Sequence, residues 1–367
     1  MKIALLSPFE ECVPPEKYGG TELVVSNLAE TLVSMGHEVH LLATGDSETK
    51  AVLHPVMERA LRKESYAEDQ SMRNAIKFVG ISNVIKIMQD LDIEIIHNHI
   101  GWRYLPFSNH FKIPTLTTLH GPMNIGYQNI LYNMFPEHPY ISISNSQREP
   151  LPNLNYLSTV YNGIDLDKFD FSELQGEYLV FLGRMSPEKG PKQAIEIAKK
   201  FGMKLLMAAK IDSVDIGYYE KEIEPLIDGK NIIYLGEIGP AEKNELLGNA
   251  YALLAPIQWR EPFGLFMIEA MACGTPVVAT DMGSVSEILV EGETGYIVEN
   301  KISNFVEALK KIPLISRFKC RQHVEKNFTK ETMTKNYLNV YCSLIDKTNE
   351  SRSNIYFKER RSGDFTH

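Results

Sequence analysis

The chain has 367 residues, 44% hydrophobic and 23% charged, with a formal net charge of −9 at pH 7. That length accommodates about two ordinary soluble domains, and the acidic balance argues against nucleic acid as a partner, because phosphate backbones are bound by clustered cations. The cysteines at 12, 273, 320 and 342 form no CxxC pair, which points to a reduced, cytoplasmic setting. No apolar run is long enough to cross a membrane, and Ile3–Leu6 is too short for a signal peptide.

Ile3–Leu6 and Val39–Ala43 read as strands around a helix from Thr21 to Met35, where Leu23, Val24, Leu28, Leu32 and Val33 recur at helical spacing and Gly36 acts as a stop. Ile93–His97, Thr115–Leu119, Ile141–Ser144 and Thr159–Tyr161 continue as β-branched runs without alternation, the pattern of buried parallel strands. The composition breaks at Asn162-Gly163-Ile164-Asp165, followed by the polar Asp167–Gln175. A second strand series then runs Tyr178–Leu182, Lys204–Ala208, Ile232–Leu235, Ala252–Ala255 and Pro276–Ala279, separated by helical patterns at Lys192–Phe201, Tyr218–Ile227, Ala241–Asn249 and Leu265–Cys273. Helices follow at Asn304–Lys311 and Thr329–Asp346, the last of which is expected to return to the first domain. The predicted division is a Rossmann-like domain over 1–163, a second over 164–328, a returning helix over 329–347 and a flexible tail over 348–367. The basic clusters Arg59–Lys63 and Arg317–Arg321 are expected on solvated helix faces, with peripheral membrane contact as the lesser alternative. Two such α/β halves enclose a cleft at the carboxyl ends of their strands, so functional residues should lie just after strands.

Several do. The loop after the first strand ends Lys17-Tyr18-Gly19-Gly20-Thr21-Glu22; paired glycines let backbone N–H groups reach a phosphate, and Thr21 is expected to cap the helix. His97-Asn98-His99 is read as two structural histidines, on the argument that alternate strand residues face opposite ways. His120 is followed by Gly121-Pro122, a bend expected to aim its imidazole into the cleft. Asp90-x-Asp92 and Asp165-x-Asp167 resemble short metal-binding patterns but end a helix and lie in the hinge, so no metal is expected. The strand Tyr178–Leu182 ends in Gly183-Arg184, with Lys189 on the turn into the next helix, two cations suited to a diphosphate.

The most informative stretch is Arg260–Ala279. Glu261 and Glu269 flank a Pro262-Phe263-Gly264 bend, Pro262 disfavours helix at Glu261, and the helix is predicted to begin near Leu265. Its free N–H groups form an anion site beside two acceptors, as a sugar diphosphate requires.

Together, Tyr18–Glu22, His120-Gly121, Asn162–Asp165, Gly183-Arg184 with Glu188-Lys189-Gly190, and Glu261–Gly264 with Glu269-Ala270 resemble the family-four glycosyltransferases, retaining enzymes of the GT-B fold, from Met1 to about Asp346. The resemblance implies that Arg184 and Lys189 hold the donor diphosphate and that Glu269 binds the ribose hydroxyls. It also implies that Glu261 and His120 lie against the transferred sugar, that Gly19 and Gly20 close over the phosphates, and that the amides of Gly264 and Leu265 touch sugar and phosphate. The first domain would bind the acceptor and the second the nucleotide sugar. Two departures stand out: Ala208–Asp212 replaces a glycine-rich turn and brings in Lys210, and Gly283-Ser284-Val285-Ser286-Glu287 replaces a Gly-Gly-Val-Pro-Glu-type segment.

The function so implied is transfer of a hexosyl unit from a UDP-sugar, without a metal cofactor, to a small-molecule or glycan acceptor. A nucleotide-sugar epimerase on the same fold and a non-catalytic binding protein are the alternatives. The acceptor is expected in the loops Cys12–Lys17, Ile100–Pro106 and Met123–Met134, whose Trp102, Tyr104, Tyr127 and Tyr132 suggest a sugar-like surface, although such aromatics more often serve packing.

Overall fold

The computed structural model describes residues 1–362, with side chains through residue 350. The first sheet contains β1 (Lys2–Leu6), β2 (Glu38–Thr44), β3 (Val52–Met57), β4 (Ile95–Asn98), β5 (Thr115–Thr118), β6 (Tyr140–Ser142) and β7 (Tyr156–Thr159). Its order is β3-β2-β1-β4-β5-β6-β7, all parallel. Helices α1 (Gly20–Ser34), α2 (Gln70–Met88) and α3 (Gly126–Asn133) connect these strands. The second sheet contains β8 (Tyr178–Arg184), β9 (Leu205–Lys210), β10 (Ile232–Gly236), β11 (Ala250–Ala255), β12 (Val277–Thr280) and β13 (Gly295–Val298), in the parallel order β10-β9-β8-β11-β12-β13. Its helices are α4 (Pro191–Phe201), the single turn α5 (Ile216–Tyr218), α6 (Pro240–Gly248), α7 (Leu265–Ala272), α8 (Val285–Ile288), α9 (Ile302–Lys311) and α10 (Arg317–Asn327). Each sheet reverses its order once, beside β1 and beside β8, and at such switch points the loops part and leave room for a ligand. Every residue of β11 is buried, which is why these runs read as continuous rather than alternating apolar sequence.

The last helix, α11 (Lys330–Ser362), returns to the first domain, where Met333, Tyr337 and Tyr341 share one core with Ile3, Val25, Leu28 and Leu41. The Asn162–Asp165 motif makes this crossing possible. Ile164 donates its N–H to Phe328 O and accepts from Lys330 N, each at 2.9 Å, while Lys330 Nζ reaches Asp165 at 2.8 Å. A Cβ on Gly163 would stand 2.2 Å from Thr329 O, so the two chain segments can touch only at a glycine.

Several expectations change. β7 ends at Thr159, where a strand was expected to begin. The edge strands β3 and β13 and the helix α3 have no counterpart among the elements read from the sequence; β3 carries Pro55, tolerated because only one side of an edge strand needs pairing. Tyr218–Ile227 is broken into α, π and 3-10 turns, with Pro225 inside the last. Within Arg317–Arg321 only Lys319 of the three cations is solvated: the buried Arg317 guanidinium donates to the carbonyls of Ser172, Ala250 and Gly248 and to Thr275 Oγ1, all at 2.8 Å, and Arg321 donates to those of Phe169 and Ala272. In the other cluster, Arg62 pairs with Glu11 at 2.6 Å, and Lys63 pairs with Glu16 and Asp46. Helix α11 passes the expected boundary at 347 and runs to Ser362, the sequence from 348 to 362 holding no glycine or proline to stop it; the remainder of the expected tail, 363–367, lies outside the described residues.

Candidate active site

A cavity of about 480 Å³ opens between the carboxyl ends of the two sheets. Every site residue expected from the sequence lines it: Gly19 and Gly20 on the first-domain side with His120, then Arg184, Lys189, Glu261, Gly264, Leu265 and Glu269 on the second. Lys17, Arg62, Lys210 and Lys243 bring further positive charge and Glu10, Glu11, Glu22 and Glu237 further carboxyl groups, so the lining sets cations against carboxyl groups instead of carrying one sign of charge.

The bend after β11 organises the second-domain wall. Gly264 adopts φ +84°, a left-handed conformation that disfavours other residues, and serves as the N-cap of α7. Lys189 Nζ donates to Glu261 Oε2 at 2.5 Å with both side chains less than a tenth exposed. Trp259 Nε1 donates to the same oxygen at 2.9 Å, and Lys189 lies over the Trp259 and Phe266 rings at 5.0 and 5.2 Å. The bend is held from outside: Ser284 Oγ donates to Phe263 O and Ser144 Oγ, from the first domain, to Pro262 O, each at 2.7 Å. The Gly283–Glu287 departure therefore supports this turn. Glu287 also accepts from Asn145 N at 2.7 Å, Ser146 N at 2.8 Å and the Tyr161 hydroxyl at 2.9 Å, tying the domains together beside the cleft.

The remaining cations of this wall are also paired. Arg184 Nη2 donates to Glu188 at 2.8 Å, and Asp212 lies 3.7 Å from Nη1. Burial works against the charge of Arg184, but Tyr18, Glu188 and Asp212 outweigh it and hold its pKa above the ordinary arginine value. Lys210 pairs with Asp212 at 2.8 Å and lies over the Tyr18 ring at 5.8 Å, which makes it a wall residue rather than an exposed one. Buried Glu269 accepts from Lys243 Nζ at 2.5 Å. Lys243 was not singled out from the sequence; nothing in α6 distinguishes it from other helical lysines until α7 is packed alongside. A ligand anion entering here replaces carboxylates as partners instead of meeting bare charges.

On the other wall, α1 begins at Gly20 with Gly19 as N-cap and no side-chain cap, so Thr21 does not cap it as expected. The loop reaches across the cleft: Tyr18 N donates to Glu237 Oε1 at 3.3 Å, and a Cβ on Gly20 would lie 3.5 Å from Leu265 Cδ1. Glu22 also lines the cavity; burial is the chief cause that pushes its carboxyl up to about 7.

His97 and His99 do not face opposite ways. Residues two apart share a strand face, and their ring centroids stand 3.9 Å apart. Both are buried and hydrogen-bonded within the protein: His97 meets the Tyr341 hydroxyl at 2.6 Å and Thr118 Oγ1 at 2.7 Å, and His99 Nδ1 meets His120 Nε2 at 2.8 Å. Burial pushes the pKa of His120 down to about 3, so the imidazole is neutral. Tyr104 and Tyr132 are core residues, while Trp102 and Tyr127 meet edge-on; none of the four lines the cavity. Among the described residues, no group of three or more His, Cys, Asp or Glu side chains is gathered as a metal would need. No helix of the described residues is long and apolar enough to cross a membrane.

Residues 18–168 match the model of Glycosyltransferase Family 4, and residues 165–330 that of Glycosyl transferases group 1. The chain is 25% identical over 327 residues to the uncharacterised glycosyltransferase MJ1178 of Methanocaldococcus jannaschii, covering 84% of this chain and 88% of that protein. It is 22% identical over 374 residues to N-acetyl-alpha-D-glucosaminyl L-malate synthase of Bacillus anthracis, covering 91% and 96%. Among solved structures, AviGT4, a glycosyltransferase of avilamycin A biosynthesis, superposes with a TM-score of 0.74 at 23% identity over 95% of this chain and 98% of its own. Anabaena HepE in complex with UDP and glucose superposes with 0.73 at 16% identity over 94% and 100%. Two adjoining family models and a matching two-sheet architecture with a cleft between the sheets agree: the chain belongs to the family-four, group 1 glycosyltransferases of the GT-B fold.

Proposed function

We propose that the protein transfers a hexosyl unit from a UDP-sugar to a hydroxyl of a small-molecule or glycan acceptor, in the cytoplasm, with retention of anomeric configuration and without a metal. The carrying observation is the convergence of Arg184, Lys189, Glu269 and the start of α7 on one cavity, facing the glycine loop of the other domain. The donor assignment draws support from the fold shared with HepE, which was crystallised with UDP. In this reading the diphosphate lies between Arg184, Lys189 and the amides of Gly264 and Leu265, the ribose meets Glu269, and the sugar faces Glu261 and His120.

The bond from the anomeric carbon to the β-phosphate oxygen breaks, placing negative charge on UDP and positive charge on the sugar. Cations and helix-end amides already in place answer the first, each well-placed donor contributing on the order of 3 kcal/mol in a water-poor site. The Glu261 carboxylate answers the second. The acceptor oxygen attacks the face that the phosphate leaves, its proton passing to the departing phosphate oxygen.

The test is incubation with UDP-hexoses and measurement of UDP release, alone and with acceptor mixtures. Slow release stimulated by an acceptor supports the reading. An epimerised donor would replace it with the epimerase, and tight UDP binding without turnover would replace it with a binding protein.

A further inference from the structure

His99 is 3% exposed, and its Nε2 has no hydrogen-bond partner. A proton there would be a buried orphan donor, which folded proteins avoid, whereas a bare lone pair is tolerated more readily. The proton therefore sits on Nδ1 and is donated to His120 Nε2 at 2.8 Å. His120 is neutral, and with Nε2 accepting, its own proton must sit on Nδ1. The two rings stack with centroids 5.1 Å apart and planes 28° apart, so ring orientation and tautomer are set together.

Behind His99 the arrangement continues. The His97 ring packs against it and is pinned by Thr118 and Tyr341, and Thr118 Oγ1 meets the Tyr337 hydroxyl at 3.1 Å. Tyr337 and Tyr341 belong to α11, the helix that returns from the second domain, so the row of rings behind the cleft is anchored on the segment that joins the domains.

We propose that His99 is a positioning residue for the transfer: it locks His120 as the tautomer that offers Nδ1–H to the sugar. This rests on the reading of His120 as a sugar contact. An asparagine amide nitrogen occupies nearly the place of an imidazole Nδ1–H, so His99→Asn keeps the donor and His99→Leu removes it. With UDP-hexose and the acceptor found to stimulate release, His99→Leu should lower kcat by at least about tenfold, since a reorientated contact at the reacting sugar is costly. KM for the donor and Kd for UDP should not move, and His99→Asn should recover most of the loss. Long-range proton–nitrogen spectra of labelled protein should show His120 protonated on Nδ1 in wild type and His99→Asn, and mixed tautomers in His99→Leu. Unchanged kcat and tautomer in His99→Leu overturn the inference, as do equal losses in both variants accompanied by equal losses of stability. Transfer unaffected in His120→Ala removes the sugar contact and the inference with it; a loss in His120→Ala with none in His99→Leu removes the inference alone.

Discussion

Lys189 and Glu261, 72 positions apart in sequence, form a buried ion pair of 2.5 Å beneath the Trp259 indole. The lysine proposed for the diphosphate is thus already partnered, and the donor must take it over. Glu261→Gln keeps the shape but strands Lys189 as an uncompensated buried cation, a loss of about 3–5 kcal/mol when one partner of such a pair is removed. UDP supplies the missing anion. The variant should therefore be less stable alone, bind UDP at least as tightly as wild type, and turn over on the order of a hundredfold more slowly or worse, because the developing positive sugar has lost its carboxylate. Calorimetric titration with UDP and single-turnover rates check this; abolished UDP binding or intact turnover would contradict the assignment.

Glu269 stands differently, since its partner Lys243 comes from α6 and its proposed ligand is the ribose. Ribose hydroxyls are bound alike in ground and transition states, so losing them changes affinity and leaves the saturated rate alone. Glu269→Gln should raise Kd for UDP by about tenfold, equivalent to about 1.4 kcal/mol. Lys243→Met should do likewise by leaving Glu269 badly oriented. A fall in kcat at saturating donor with Kd unchanged would show that these residues act on the chemistry.

Arg184 and Lys189 supply the charge that the proposed metal-free reaction needs. Alanine at either position should weaken UDP binding, and wild-type turnover should survive dialysis against excess EDTA. Activity lost to EDTA and restored only by magnesium or manganese would overturn metal independence. Near-wild-type UDP affinity in both alanine variants would overturn the diphosphate site.

Arg184, Lys189, Glu261 and Glu269 were legible in the sequence because each lies beside a strand end or a glycine bend, and that local chemistry declares itself within a few residues. What holds them was not. Lys243, Trp259 and Ser144 reach the site through pairings across 26, 2 and 118 positions, and even the nearest depends on how the bend folds back. Arg317 misled for the same reason: on a helix it reads as a surface cation, and only the folded domain brings to it four acceptors, from Ser172, the end of α6 at Gly248, the start of β11 at Ala250, and Thr275. The edge strands escaped because half-buried, short or proline-bearing segments carry little of the apolar signal on which strand reading depends.

Arg317→Met should test that packing role. It leaves several buried carbonyls without a donor while preserving most of the side-chain volume, so the second domain should lose about 3 kcal/mol or more of stability. The urea midpoint of the variant measures it, with UDP affinity in the folded protein unchanged. A midpoint within experimental error of wild type would show that these carbonyls find other partners.

Glu22 offers a prediction whose sign can be worked out in full. Its carboxyl lines the cleft at 5% exposure, and burial, opposed in part by its own backbone N–H and reinforced by Glu11, raises its pKa from 4.5 to about 7. Below pH 4.5 folded and unfolded chains both hold this proton, and it contributes nothing to stability. Between pH 4.5 and 7 the unfolded chain releases the proton while the folded chain keeps it, so stability drains away across that window and levels off above it. At 1.36 kcal/mol per unit the accumulated loss reaches at most about 3 kcal/mol. Glu22→Gln has no proton to lose, so its urea midpoint should exceed that of wild type clearly at pH 8 and only slightly at pH 5. Parallel pH profiles for the two proteins would show that the carboxylate is well solvated or paired in the folded chain.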